Sequence, residues 1–285
     1  SGGHKVVSTI DSLVGAGLSL KGAHVSYLLC DQFLDNCIMK THRTNISIKK
    51  NDYQNSKLCD DCYKCGKIAF QNTNLDFLKL SSYFEYSHEE KIDKILKKNN
   101  TLKKILSFKI NKIDIGEQVN ASICRYYAVS NFTKEKNLSF VAKSYFKSAL
   151  KAYFSIEKLL ENKKFDSIIV NHGFYIPQGI IAEIARKKKI DFVTWTTGAR
   201  KNSIIFSHNN IYYKDFTNEP VSSWKNINLK KIRKKTINYL NSKVLGTKDY
   251  KYKDSKVDLD ASSLFDENKI DLKKPLVGLT TNVIW

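Results

Sequence analysis

The chain has 285 residues, 42% hydrophobic and 12% aromatic, which is enough apolar material for a sizeable core and excludes wholesale disorder. No apolar run reaches the roughly 20 residues that cross a bilayer, and no basic start with an apolar core marks a secretion signal, so a soluble cytoplasmic protein is expected. The net charge of +20 is nearly all lysine, with arginine only at Arg43, Arg125, Arg186, Arg200 and Arg233. Arginine is the planar fork that reads phosphates and guanines, so no nucleic-acid partner is expected; an acidic glycan, or peripheral contact with the anionic inner face of the cytoplasmic membrane, fits the charge as well.

In chain order, "SGGH" reads as a glycine turn. Residues Lys5 to Leu20 follow with helical apolar spacing, and Lys21 and Gly22 act as the stop. "AHVSYLLCD" predicts a buried strand. A cysteine-rich loop is expected over 30–66 and a mostly helical insertion over 68–163. Within that insertion, "FVAKSYFKSALKAYFSIEKLLE" sets Phe140, Val141, Tyr145, Leu150, Tyr153, Ile156 and Leu159 on or near one face and its lysines on the other. "FDSIIVN" predicts a strand covered on both sides, "PQGIIAEIARKKK" a helix with Pro177 near its start, and "IDFVTW" and "NSIIFSH" further strands. "LKKIRKKTINYLNSK" predicts a basic helix and "KKPLVGLT" a last strand. Strands alternating with helices predict an α/β fold: a Rossmann-like parallel sheet flanked by helices, with the helical insertion. The first and last residues read as the edges of one domain of a longer protein.

Open parallel sheets bind ligands beyond the carboxyl ends of their strands. Three stretches fall at such ends: Gly2, Gly3 and His4 before the first helix; Asn171, His172 and Gly173 after Val170; and "TTGARKNS", with Arg200, after Trp195. Glycine lets a backbone approach a ligand, and a helix start offers free N–H groups to an anion. His4 and His172 suit a general base, although a single histidine at a strand end also suits an ordinary turn.

Cys59, Cys62 and Cys65 form C-x2-C-x2-C, with Cys30 and Cys37 upstream. Thiolates at this spacing can close around one tetrahedral ion with Cys30 or Cys37 as the fourth ligand, so a structural zinc is expected, set against the alternative of unpaired, half-buried thiols. No tightly bound organic cofactor is expected.

"GGHKVVSTIDSLVGAGLSLKGAHVSYLLCD", "GEQVNASICRYY", "NHGFYIPQGIIAEIARKKKIDFVTWTTGARKNSIIFSH" and "TTNVIW", in this order, resemble the amino-terminal domain of bacterial GT-B type glycosyltransferases of capsule and surface-polysaccharide biosynthesis. The resemblance implies an acceptor-side domain over 1–274 and the start of a second, donor-binding domain over 275–285. It implies a nucleotide sugar as donor and a glycan or lipid-linked acceptor. It places His4, Glu117 and His172 as candidate bases, in that order. Gly2, Gly3, Arg125, Asn171, Gly173, Arg200, Ser207 and His208 are the candidate substrate-binding residues. Two other readings stand beside it: a sugar-nucleotide 2-epimerase, which would want more carboxylates than Glu117, and a zinc-stapled, non-catalytic module for acidic glycans or membrane surfaces.

Overall fold

The computed structural model describes residues 5–40, 57–71, 73, 75–198, 203–220, 222, 225 and 228–244. Nine helices and seven strands lie among them: α1 Lys5–Leu20, β1 Ser26–Leu29, α2 Lys57–Phe70, β2 Asp76–Lys79, α3 Tyr86–Lys98, α4 Leu102–Leu106, β3 Lys109–Ile110, β4 Ile113–Asp114, α5 Ile115–Tyr127, α6 Leu138–Asn162, β5 Ser167–Asn171, α7 Gln178–Lys188, β6 Asp191–Thr197, β7 Ile204–His208, α8 Tyr212–Thr217 and α9 Leu229–Val244. None of these helices is long and apolar enough to cross a membrane.

The main core is helical, built around α6, 25 residues long. Val141, Tyr145, Leu150, Tyr153, Ile156 and Leu159 are buried there as their spacing predicts, while Phe140 stays 38% exposed. They pack with Ile115, Val119 and Ile123 of α5, Ile92 of α3 and Ile105 of α4. The lysine face has one exception. Lys151 is buried at 7% exposure, where its ammonium donates to the Phe33 carbonyl and the Asp35 carboxylate, both at 3.3 Å, and lies 4.9 Å from the Phe33 ring centroid. A buried charge persists only when paired in this way.

The strands make three small sheets rather than one continuous Rossmann sheet. β1 and β2 pair in parallel, with α2 as the crossover between them. β3 and β4 form a two-residue antiparallel ladder. β5 and β6 pair in parallel around α7, and β7 closes the third sheet antiparallel to β6. The expectation of an α/β chain with parallel βαβ units therefore holds, whereas an extended parallel sheet does not form among the described residues. The short strands explain this: β1 and β2 have four residues each, and β2 is largely exposed.

Both faces of β6 are used. Phe192 packs with Val170 and with Ala182 and Ala185 of α7. Trp195, fully buried, sends its indole N–H to the Asp11 carboxylate of α1 at 2.8 Å, and the Asp11 carbonyl accepts from Tyr27 of β1 at 2.7 Å. Helix α1 thus ties the first crossover to the second. The described residues divide into two compact units, the larger holding α1 to β7 and most of α8, the smaller α9. In the smaller one, α9 exposes Ile232, Ile237, Tyr239 and Leu240. The expected final strand and the proposed boundary at 275 lie outside the described residues.

Candidate functional site

At the carboxyl end of β5 the backbone makes a tight reversal. The His172 N–H donates to the Trp195 carbonyl at 3.0 Å, and the Asn171 side-chain amide donates to the same oxygen at 3.0 Å. The Gly173 N–H then returns to the Asn171 carbonyl at 2.8 Å. This requires left-handed backbone at two successive residues, with φ of 61° at His172 and 80° at Gly173. Glycine suits the second position on two grounds: its φ, and a side-chain carbon there would sit 2.5 Å from Thr194 Cγ2. A non-glycine residue held at positive φ, as His172 is, costs on the order of 1–3 kcal/mol and marks a position the surroundings over-determine.

Aromatic rings gather around that reversal. The His172 ring lies 5.6 Å from Phe174, 5.7 Å from Tyr175 and 6.0 Å from Tyr212, and Phe174 meets Tyr213 edge-on at 5.2 Å. Tyr175 is buried, His172, Phe174 and Tyr212 are half-buried, and Tyr213 is exposed, so the group runs from the core to solvent. Burial pushes the Tyr212 phenol up, and a hydrogen bond with Thr196 opposes the shift. Burial also raises Tyr213, and the negative charges of Glu117 and Glu183 add to the effect while Arg186 offsets it. Glu117, in the first turn of α5 with its N–H held by Asp114 at 2.9 Å, is a solvent-facing carboxylate whose charge acts on Tyr213. Gly179 at the start of α7 leaves room for the Gln118 amide; a side-chain carbon would come within 2.0 Å of it.

The other sequence candidates are distributed as follows. Arg125 has a structural engagement: its Nε donates to the Ile38 carbonyl at 3.3 Å, and its guanidinium lies 5.4 Å from the Tyr175 ring centroid. Asn171 is buried and occupied with Trp195. Because β7 is antiparallel, Ile204 pairs with Thr197 at the carboxyl edge of β6, Ser207 with Thr194, the residue that Gly173 packs against, and His208 with Val193. Ser207 is buried and donates to Asp215. Gly2, Gly3, His4 and Arg200 lie outside the described residues. The structure thus sets His172 and Gly173 in one reversal, and Glu117 acts through its charge on Tyr213. Sequence reasoning missed Phe174, Tyr175, Tyr212 and Tyr213 there; the paired aromatics "FY" and "YY" were the available signal.

The cysteines form a second group. Cys59, Cys62 and Cys65 are on helix α2 rather than in a loop, and none of the six cysteines is in a disulfide. Burial pushes the Cys37 thiol up to about 12, and the negative charges of Cys30 and Cys59 add to it. Cys62 is likewise pushed up to about 12, by burial and then by Cys37, Cys30 and Cys59. Cys30 is raised by burial, partly offset by backbone hydrogen bonds from Leu34 and Phe33. No three His, Cys, Asp or Glu side chains among the described residues converge to metal-ligating distance as they stand.

No protein-family description matches the chain, and no curated protein or solved structure matches it.

Proposed function

We propose that this chain is the acceptor-side, Rossmann-like half of a GT-B type glycosyltransferase of bacterial surface-polysaccharide biosynthesis, with its acceptor against the surface formed by His172, Phe174, Tyr212 and Tyr213. The observation that carries this reading is the left-handed reversal at His172 and Gly173, at the carboxyl end of a parallel strand, with aromatic rings and the Glu117 carboxylate beside it. Ligands of parallel α/β sheets sit at such ends. Aromatic faces suit the C–H faces of a sugar ring, and a carboxylate suits its hydroxyls. The resemblance of "NHGFYIPQG" and "GEQ" to the family supports the same assignment from the sequence.

In this reading Glu117 takes the proton of the acceptor hydroxyl as its oxygen attacks the anomeric carbon of the nucleotide sugar. The nucleotide diphosphate departs, bound mainly by a second domain. His172 orients the acceptor. The exposed apolar residues of α9, interleaved with Lys230, Lys231, Arg233, Lys234 and Lys235, support a peripheral contact with anionic lipid.

Saturation-transfer NMR against a panel of neutral and acidic surface oligosaccharides tests the acceptor surface. Transfer to sugar ring protons is expected, and Phe174→Ala with Tyr213→Ala is expected to weaken binding by about 0.5–1.5 kcal/mol per ring, roughly 2- to 13-fold each. Absence of transfer across the panel, or binding indifferent to both substitutions, would overturn the assignment.

A further inference from the structure

We propose that Cys30, Cys37, Cys59 and Cys62 are the four ligands of one structural zinc ion, which staples the segment after β1 to the first two turns of α2, and that Cys65 is not a ligand. This assignment is independent of the glycosyltransferase reading. It rests on where the first crossover places four thiols.

In a parallel β–α–β unit the helix runs back against its strands, so its amino terminus lies at the carboxyl end of the first strand. The other end of α2 is fixed in that sense, because Phe70 lies 3.7 Å from Tyr27, near the start of β1. Cys30 immediately follows Leu29, the last residue of β1, and Cys59 and Cys62 occupy the opening turns of α2. The two pairs therefore meet at one edge.

Cys37 is brought to the same edge by a segment tied to the helical core. The Asn36 N–H donates to Ser148 at 2.8 Å and its side-chain amide to Ser144 at 2.7 Å; Tyr145 donates to the Cys37 carbonyl at 3.2 Å; and the Ile38 N–H donates to the Ile176 carbonyl at 3.2 Å. Every pair among these four thiols is near enough for the charge of one to act on another. Backbone N–H groups already face two of the sulfurs, those of Phe33 and Leu34 toward Cys30 and that of Met39 toward Cys37. Such donors orient metal thiolates and stabilise their charge.

Helix geometry keeps Cys65 from sharing an ion with Cys59: six residues on, it is displaced about 9 Å along the axis and about 120° around it, whereas Cys62 sits about one turn on and about 60° away. Of the two neighbours of Cys62, Cys59 is the one whose charge acts on Cys30 and Cys37. The sulfurs do not converge on a point as they stand, so binding requires the cysteine side chains to move between staggered χ1 positions. Binding would convert four thiols to thiolates with release of four protons, leaving a site of net charge −2. The Lys40 ammonium, which already lowers the Cys37 thiol, and the positive end of α2 face that charge.

Metal analysis of the protein purified without chelator, followed by titration of the metal-free protein with Co(II), tests the assignment. About one zinc per chain is expected, and a tetrahedral thiolate–cobalt spectrum saturating at about one equivalent. Cys65→Ser and Cys124→Ser should keep both the stoichiometry and the spectrum. Cys37→Ser or Cys62→Ser should weaken zinc retention at least tenfold, and Cys62→His should restore binding with a spectrum shifted toward mixed nitrogen and sulfur ligation. The assignment is overturned if the wild-type protein binds neither zinc nor cobalt, if it carries iron with inorganic sulfide, or if Cys65→Ser loses the metal. The wild-type and Cys65→Ser measurements decide the matter even where a ligand variant does not fold.

Discussion

The two parallel crossovers of this chain share one topology and carry different chemistry at the same place. In β1–α2–β2 the carboxyl edge gathers sulfur: Cys30 leaves the strand, Cys59 and Cys62 open the helix, and Cys37 returns along a segment pinned to α6. In β5–α7–β6 the same edge carries a left-handed reversal roofed by aromatic rings, with Glu117 of α5 alongside. The first edge is stabilised by little of its own packing, since β2 is mostly exposed and, among the described residues, pairs only with β1. The second rests on a buried tryptophan and a third strand. A well-packed sheet can hold a strained backbone, whereas a thin one gains most from a cross-link. That difference is the reason the proposed metal staple suits the first and the proposed ligand surface the second.

Three substitutions sharpen the contrast. Trp195→Ala removes the side chain that joins β6 to α1 and leaves Asp11 without its indole donor. A loss of about 3–5 kcal/mol is expected in urea denaturation, a large share of the about 5–15 kcal/mol that holds an ordinary domain folded. A loss below about 1 kcal/mol would mean that the second crossover is not anchored through α1. Gly173→Ala meets both the positive φ and Thr194, and should cost about 1–3 kcal/mol while lowering oligosaccharide binding. Adding Thr194→Ser should recover the part due to contact and leave the part due to φ. Tyr27→Phe tests the weaker side: it removes the hydroxyl that reaches the Asp11 carbonyl but keeps the ring on Phe70, so about 1 kcal/mol is expected. If its effect matched that of Trp195→Ala, the comparison between a thin and a well-anchored crossover would fail.

Much of the architecture was readable in advance because local patterns suffice for it. The apolar spacing of α1 and α6 and the apolar runs of β5 and β6 match the observed elements. Proline at the edge of α7 likewise marked that helix's start, with Pro177 as its N-cap. Other features were not readable. "DFLK" has no strand pattern, yet it pairs with β1 because α2 delivers it there. The segment "KLCDDCYKC" read as loop because of its cysteines, yet it is the start of a helix. Lys151 read as a solvated lysine, and only the approach of Phe33 and Asp35 makes its burial tolerable.

Residue order alone thus determined most of the helices and strands and the α/β character, and it marked the turn from Asn171 to Gly173, because these depend on neighbours within a few positions. Tertiary structure decided the direction of β7, which sets Ser207 opposite Thr194 and His208 opposite Val193. It decided that Arg125 binds Ile38 and that the charge of Glu117 acts on Tyr213. Each of these depends on segments tens of residues apart arriving at one point, and pairing across such distances is set by the packing of the whole core rather than by any local spacing.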